Sequence, residues 1–114
     1  MITVYLSAAL LCISTACFPV LVGKHTPVGT FDTYQLETDD VGYGGDIIPF
    51  HETPTEIYAI HRVWLLNPAQ RRPQRLRSSN PKDRVITAGC INVSPEVYDK
   101  LRECCIPGKL TIIP

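Results

Sequence analysis

The chain has 114 residues, and its 11 Lys and Arg residues balance 11 Asp and Glu residues, so its formal net charge is zero. This length predicts one domain, residues 1–114, with a modest hydrophobic core. A zero net charge argues against a dedicated nucleic-acid or membrane-surface binder. Every charged residue within 31–56 is nevertheless acidic, and those within 71–84 are basic apart from Asp83. Such stretches are typical of solvated loops that attract each other.

Short strands are predicted in the first third of the chain. Residues 2–6 alternate apolar and polar side chains, as a half-buried strand does. Residues 10–13 and 17–22 are rich in apolar and β-branched side chains, which favours strands again. A turn at Gly29 precedes residues 30–36, where the alternation returns.

The run from Met1 to Gly23 has no charged residue and is apolar enough to mimic the core of a signal peptide or a membrane anchor. No Lys or Arg precedes the run, however, and its pattern fits strands. We therefore expect buried strands, no stable membrane insertion and a cytoplasmic location, with the periplasm or cell envelope as the alternative.

A long loop is predicted over residues 38–50, which are rich in Gly and include a Pro. We expect this loop to act as a flap beside a substrate. The next stretch, residues 56–64, predicts a strand. Because alternate residues of a strand point to the same face, His61 would share one face with apolar residues. Residues 67–82 contain three Pro residues and many charges, and they predict a loop with one short turn at most.

The last third predicts a short strand, a helix and a closing strand. Residues 84–87 form the short strand, which leads toward Cys90. Ser94 is a good N-cap and Pro95 suits the first helical position, so a helix begins there. Residues 110–113 form the closing strand. The predicted fold class is mainly β, a compact β-sandwich or barrel-like sheet pair with one short α-helix after Cys90.

Five cysteines are an odd number, so at least one is free or paired between chains. Cys104 and Cys105 are adjacent, and a disulfide between neighbours is strained and rare. We therefore expect five reduced thiols, as in a cytoplasm, with four of them as packing residues: Cys12, Cys17, Cys104 and Cys105. The sequence has no Cys-x-x-Cys pair, and its three His residues lack metal-ligand spacing. We expect neither a metal nor another cofactor.

The stretch from Thr87 to Asn92 carries the clearest chemical signal. Its sequence, Thr-Ala-Gly-Cys-Ile-Asn, places Cys90 directly after Gly89. A Gly permits backbone conformations that other residues avoid, and it lets a substrate carbonyl approach backbone N–H donors. His61, far upstream on a predicted strand, supplies an imidazole that lowers the pKa of the thiol and later carries the proton. Cys90, His61 and Gly89 are therefore the candidate catalytic residues.

These segments resemble the L,D-transpeptidase family, the YkuD-like cysteine enzymes of peptidoglycan. The family pattern is a His, a spacer, then Ser or Thr, His, Gly, Cys, an apolar residue and Asn or Arg. Here Ala88 replaces the second His, and the spacer after His61 is long. Residues 2–6 and 18–31 look like the family's early strands, so the resemblance covers most of the chain and implies the family's fold. Cleavage near Cys17 would then delete part of that fold.

The resemblance implies an acyl transfer on peptidoglycan stem peptides or muropeptides, carried out by a monomer. Cys90 would attack the carbonyl at the L-centre of the diamino-acid residue in a tetrapeptide, and the following D-amino acid would leave. Backbone N–H groups around Gly89 and Cys90 would stabilise the oxyanion, and His61 would activate the thiol and protonate the leaving amine. The thioester then goes to an amine, which is transpeptidation, or to water, which is L,D-carboxypeptidation; both stay open.

Four further residues are assigned to the site, partly from the resemblance and partly from their position in the sequence. Thr87 and Asn92 would order the site, because the latter position lies beside the nucleophile in the family. Arg62 and Arg84 are nearest in sequence to the proposed His and Cys. Either would hold a substrate carboxylate bidentately or, as the alternative, form a surface ion pair. His51, at the end of the glycine-rich loop, is the rival base.

Two other functions stay open beside acyl transfer. The replacement at Ala88 favours a catalytically inert module that keeps the fold and grips peptidoglycan peptides. A small one-domain wall enzyme also suits an anti-cell-wall toxin domain that is delivered by another route.

Overall fold

The computed structural model describes residues 1–14 and 16–114. Most of their regular structure is β-strand: β1 (Ile2–Tyr5), β2 (Leu10–Ile13), β3 (Ala16–Pro19), β4 (Val22–Gly23), β5 (Gly29–Thr33), β6 (Leu36–Glu37), β7 (Asp46–Glu52), β8 (Ile57–Arg62), β9 (Val85–Thr87), β10 (Ile91–Val93) and β11 (Gly108–Ile113). The described residues also form two α-helices, α1 (Arg72–Leu76) and α2 (Pro95–Cys104), and three 3₁₀ turns, Val41–Tyr43, Pro68–Gln70 and Pro81–Arg84. The mainly β class predicted from the sequence is confirmed, with α1 as an additional short helix.

The first sheet has five strands in the order β3-β2-β1-β11-β5. Two of its inner strands, β1 and β11, run parallel, with Ile2 opposite Leu110 and Val4 opposite Ile112. These four side chains are almost completely buried, because alternate residues of a strand point to one face. The sheet therefore presents a continuous apolar face to the core.

The second sheet has four strands in the order β10-β8-β7-β6. Within it β10 and β8 run parallel, and their register places Asn92 opposite His61. A separate parallel pair consists of β4 and β9. Leu21, which directly precedes β4, exchanges two backbone hydrogen bonds with Asn92, each 2.9 Å long. The second sheet and the small β4–β9 pair are thereby joined at Asn92.

The core lies between the two main sheets and is closed by α2. Buried side chains of the second sheet pack in one cluster with those of the first, among them Ile48, Ile60 and Ile91. Ser94 caps α2 as predicted, because its hydroxyl accepts a hydrogen bond from the Val97 N–H at 3.2 Å. Tyr98 and Leu101 of α2 are fully buried in the same cluster. The helix α2 thus follows β10 after one residue and is anchored to the core.

The uncharged N-terminal run forms β1 to β4, so the strands predicted there are present. β3 differs from the buried strand expected, because it is an edge of the five-stranded sheet and three of its four residues are exposed. Among the described residues, no helix combines the length and the apolar character that crossing a membrane requires.

The loop predicted over residues 38–50 is shorter than expected. It ends at Gly45, and the buried first part of β7 follows, residues 46–50. Pro49, which argued against a strand, lies at an irregularity in the pairing of β7 with β8, a position where sheets tolerate a residue without an N–H. The loop that remains carries the 3₁₀ turn Val41–Tyr43.

Four of the five cysteines are paired in disulfides, so the expectation of five reduced thiols is wrong. Cys12 and Cys17 lie directly opposite each other on the antiparallel strands β2 and β3, with their Cα atoms 4.0 Å apart. Close cross-strand pairing of this kind brings two side chains together. Cys104 and Cys105 form a disulfide between neighbours at the end of α2. Cys90 is the free cysteine.

Arg84 is buried beneath the turn between β1 and β2. Only 4% of the residue is exposed, and its guanidinium donates to the carbonyl oxygens of Ala8 at 2.9 Å and of Ser78. A longer hydrogen bond of 3.4 Å reaches the Ala9 carbonyl. Arg84 thus ties the β1–β2 turn to the segment that precedes β9, and its removal would leave buried acceptors without their donor.

We predict that Arg84→Gln lowers the free energy of unfolding by about 3 kcal/mol, because hydrogen bonds from a charged donor to buried acceptors are lost. Urea unfolding followed by circular dichroism measures this change. Arg77→Gln is the matched control, because Arg77 is exposed and should change stability by less than about 0.5 kcal/mol. Equal stabilities of the two variants would contradict the role assigned to Arg84.

Candidate active site

Cys90 and His61 line the same surface cavity, whose volume is about 370 Å³. The loop before β7 contributes Tyr43 to its wall, and the segment after β8 contributes Trp64 and Arg72. Glu56 and the motif residues Thr87 to Gly89 line the cavity as well. The Gly-Cys motif and the distant histidine are therefore brought to one place by the fold.

The parallel register of β8 and β10 sets the positions of the two residues. Asn92 lies opposite His61, and Cys90, two residues before Asn92, is on the same side of the chain by the two-residue period. The Cys90 thiol donates to the carbonyl oxygen of Ile57, the first residue of β8, at 3.9 Å. Two hydrogen-bonded neighbouring strands therefore fix the relative positions of the thiol and the imidazole.

Gly89 and Thr87 shape the turn before Cys90. Gly89 has a φ of +148°, and a Cβ at this position would overlap the Tyr58 ring, so the turn requires Gly. Its N–H donates to Thr87 Oγ1 at 3.1 Å, and that hydroxyl donates to the Cys90 carbonyl at 2.6 Å. Thr26 donates to the Gly89 carbonyl at 2.9 Å. The Gly89 N–H, which we expected to face an oxyanion, is engaged by Thr87 in the free protein.

Burial raises the pKa of the Cys90 thiol above its ordinary value, because a thiolate is poorly solvated in the cavity wall. The Ala59 backbone and the positive charge of Arg72 act to lower the pKa of this thiol, and the charge of Glu56 acts to raise it further. The thiol is therefore protonated near neutral pH. The result differs from the expectation that His61 lowers the thiol pKa. In the part of the chain that the structure describes, both ring nitrogens of His61 are bonded elsewhere.

His61 is held as a neutral imidazole, and only 3% of the residue is exposed. Its Nδ1 lies 2.6 Å from the Arg62 carbonyl oxygen, which can only accept, so Nδ1 carries the proton. Its Nε2 lies 3.3 Å from Nδ2 of Asn92, which can only donate, so Nε2 carries the lone pair. Burial lowers the pKa of His61 to about 4, and the charge of Arg72 adds to the shift.

Asn92 connects His61 to Arg72. Its fully buried side chain accepts at Oδ1 from Arg72 Nη1 at 2.9 Å and from the Trp64 N–H at 3.2 Å. These two donors fix the orientation of the amide, so that Nδ2 faces His61. Arg72 in turn donates from Nε to Gln70 Oε1 at 2.8 Å. Asn92 therefore orients the imidazole and the guanidinium together.

Aromatic side chains form the wall around His61. The Tyr43 ring lies edge-on to His61, with ring centroids 4.7 Å apart, and to Trp64, with centroids 5.0 Å apart. Tyr43 belongs to the glycine-rich loop predicted as a flap, and a Cβ at Gly42 would overlap the Trp64 ring, which explains the close approach. Tyr58 and Trp64 are half-buried and line the cavity.

Arg62 lies on the face of β8 opposite to His61, because neighbouring strand residues alternate. Its Nη1 lies 2.7 Å from Oδ1 of Asp46, and its guanidinium covers the Tyr98 ring at 4.0 Å. Arg62 is therefore part of a charged and aromatic cluster beside α2. This placement argues against a direct contact between its side chain and a substrate in the cavity.

Arg84 and His51 also lie outside the cavity. Arg84 is occupied by the carbonyls beneath the β1–β2 turn, so it is placed to support the fold rather than to hold a carboxylate. His51, the rival base, packs against Phe31, with centroids 5.3 Å apart, and stacks on Tyr58, with centroids 5.8 Å apart. Of the residues predicted for the site, the structure brings His61, Thr87, Gly89, Cys90 and Asn92 together.

Sequence reasoning singled out neither Arg72 nor Tyr43, although the basic stretch 71–84, which contains Arg72, was also expected to receive substrate carboxylates. Arg72 is one of six basic residues in the run 71–84, and only its proximity to Asn92 sets it apart. Tyr43 could have been suspected from its position within a cluster of glycines. Within residues 1–14 and 16–114, no group of three His, Cys, Asp or Glu side chains could hold a metal ion.

We predict that His61 makes the protein progressively less stable below pH 6.5. The unfolded chain binds this proton near pH 6.5, whereas the folded chain binds it only near pH 4. The unfolded state therefore holds more protons in this interval, and the free energy of unfolding falls by about 3 kcal/mol as the pH drops from 6.5 to 4. His61→Gln has no imidazole to titrate. In urea unfolding, the difference in free energy of unfolding between the unmodified protein and His61→Gln should therefore shrink as the pH falls from 6.5 to 4. A pH-independent difference would rule out the assigned pKa.

No family model matches the chain, and no curated protein matches it. Solved structures do. An L,D-transpeptidase from Stackebrandtia nassauensis is 13% identical with a TM-score of 0.60, and the match covers 99% of this chain and 54% of that chain. L,D-transpeptidase 1 of Mycobacterium tuberculosis is 16% identical with a TM-score of 0.57, covering 99% of this chain and 58% of that one. The chain spans about half the length of these proteins, and it has the L,D-transpeptidase fold.

Proposed function

We propose that this protein is a cysteine acyltransferase of the L,D-transpeptidase type that acts on peptidoglycan tetrapeptide stems or on muropeptides. The observation that carries the proposal is that Cys90 and His61 line one cavity in a chain with this fold. Cys90 is also the free thiol among the five cysteines. Thr87 and Gly89 hold the backbone around the thiol, and Asn92 holds the imidazole.

The reaction begins from a neutral thiol and a neutral imidazole. His61 Nε2 exchanges its hydrogen bond with Asn92 for one with the thiol and takes the thiol proton, as Sγ bonds to the carbonyl carbon at the L-centre of the diamino-acid residue. The carbonyl electron pair moves to its oxygen. When this intermediate collapses, the C–N bond breaks and His61 passes its proton to the departing amine. A thioester on Cys90 and a free D-amino acid result.

The second half of the reaction returns the thiol. An amine or a water molecule attacks the thioester carbonyl and gives a proton to His61, and the C–S bond then breaks and Sγ takes that proton back. An amine acceptor gives a cross-link or an exchanged D-amino acid, whereas water gives a stem that is one residue shorter. We propose both outcomes, with the acceptor supplied by whatever nucleophile reaches the cavity.

The compartment we propose is the cell envelope rather than the cytoplasm expected from the sequence. The fold contains two disulfides, Cys12–Cys17 and Cys104–Cys105. Disulfides persist in oxidising compartments and are rare in reducing ones. Peptidoglycan substrates are met in the same compartment.

We predict that Cys90→Ser abolishes release of D-alanine from a disaccharide-tetrapeptide, because a neutral hydroxyl is a far weaker nucleophile than a thiol in this setting. Mass spectrometry of the products measures release, and intact-protein mass detects the thioester. The double variant Cys12→Ser, Cys17→Ser is the control, because it removes two sulfurs that do not line the cavity, and it should keep activity. Release of D-alanine at an unchanged rate by Cys90→Ser would contradict the assignment of Cys90 as the nucleophile.

We predict that His61→Ala slows formation of the thioester about a hundredfold or more, as loss of a general base does. His51→Ala is the matched control, since His51 lies outside the cavity, and it should slow the reaction much less. Rapid-quench measurement of the intact-protein mass gives both rates. A larger loss in His51→Ala than in His61→Ala would show that the base has been misassigned.

A catalytically inert peptide-binding module is the second candidate function. Both ring nitrogens of His61 are occupied in the free protein, and burial raises the pKa of Cys90, so the resting site favours a protonated, unreactive thiol. Such a module would bind the tetrapeptide with the same affinity whether residue 90 is Cys or Ala. It would never give the mass of a thioester, which is the measurement that separates it from the enzyme.

A further inference from the structure

Arg72 is a half-buried cation without an anionic partner. It is the first residue of α1 and lines the same cavity as Cys90. The ion pairs among the described residues, Arg62–Asp46, Arg102–Asp46 and Lys109–Asp32, do not include it. Because a partly buried charge is costly unless it is paired, an unpaired guanidinium in a cavity wall calls for a ligand of opposite charge.

The hydrogen bonds of Arg72 leave part of its guanidinium free. Its Nε donates to the Gln70 amide oxygen at 2.8 Å, and its Nη1 donates to the Asn92 amide oxygen at 2.9 Å. Both acceptors are neutral, so they orient the group without balancing its charge. A guanidinium carries five N–H donors in a fixed fork, and within the described residues these two bonds are the ones its side chain donates.

The charge of Arg72 is felt at the reacting atom. It lowers the pKa of the Cys90 thiol, whereas the charge of Glu56, at another part of the cavity wall, raises it. With His61 neutral, Arg72 is the cation of this cavity among the described residues. An anionic group of a bound molecule would therefore be drawn to the Arg72 side of the cavity and repelled from the Glu56 side.

We propose that Arg72 binds the terminal carboxylate of the peptide whose bond Cys90 attacks, and that it thereby selects peptides ending one residue beyond that bond. The inference rests on the proposed function. A carboxylate accepts two parallel N–H bonds from a guanidinium fork, and the carboxylate of the departing amino acid is within one residue of the attacked carbonyl. Arg72 is thus a specificity-determining residue.

Arg72 also positions Asn92, and through it His61, so loss of activity in a variant would not prove a contact with substrate. A positioning role would change the rates for all substrates by the same factor. A carboxylate contact changes only the preference between peptides that carry a free terminal carboxylate and those in which it is an amide. The ratio of the two kcat/KM values therefore isolates the contact.

The experiment compares a disaccharide-tetrapeptide with its C-terminal amide. We expect the unmodified protein to prefer the free acid by about tenfold or more, since a charge-assisted pair is lost in the amide. Arg72→Gln should bring the ratio close to one, and Arg72→Lys should keep part of the preference. Arg71→Gln is the matched control, because Arg71 is exposed and outside this cavity, and its ratio should match the unmodified protein. Equal rates for acid and amide in the unmodified protein, or an unchanged ratio in Arg72→Gln, would overturn the inference.

Calorimetry on Cys90→Ala with the same two peptides separates this inference from the proposed function. The carboxylate contact is supported if Cys90→Ala binds the acid more tightly than the amide, and if this difference disappears in the double variant Cys90→Ala, Arg72→Gln. This outcome supports the contact even if no thioester is ever detected in the unmodified protein. Equal binding of acid and amide rejects the contact even if the thioester forms. Detection of the thioester mass in the unmodified protein supports the proposed function, and its absence contradicts that function.

Discussion

Asn92 is the residue on which the rest of the site depends. Its backbone N–H and C=O both bond to Leu21 at 2.9 Å, and its side chain is fully buried. A carboxamide has two donors and two acceptor lone pairs. Here Oδ1 accepts hydrogen bonds from the Trp64 N–H and from Arg72, and Nδ2 donates to His61. A buried polar group left without its partner costs about 1–3 kcal/mol. In the free protein, one residue therefore positions the imidazole, the guanidinium and the strand junction.

The resting site combines a neutral thiol, a neutral imidazole and a charged guanidinium. Burial moves the pKa of Cys90 up and that of His61 down, so an ion pair between them is not the ground state of the free protein. Reaction of a cysteine with alkylating agents or oxidants follows its thiolate fraction. A protonated Cys90 is thus less open to oxidation than a thiolate would be, in a chain whose other cysteines are oxidised.

Local physics made much of the fold predictable from the sequence. Ser94 followed by Pro marked the start of α2 because capping depends on neighbours in the chain. Gly89 indicated a backbone conformation that other residues avoid, and its φ is +148°. Features that depend on distant contacts were not predictable. Pro49 lies inside a strand because a pairing irregularity accommodates it, and Cys12 meets its partner through strand register. Arg72 contacts the site from the start of α1, through its hydrogen bond to Asn92, which is 20 residues away in sequence.

The pairing of β1 with β11 joins segments that are more than 100 residues apart in sequence. Residues 2–5 lie beside residues 110–113 within the five-stranded sheet, so one set of hydrogen bonds spans nearly the whole sequence. Such distant contacts raise the contact order and slow folding, because the entropy of closing the intervening chain is lost before the contacts form. During synthesis, β1 to β3 can pair early, but the open edge of β1 waits for β11 to emerge. Until then, that edge is a template for wrong pairing with other chains.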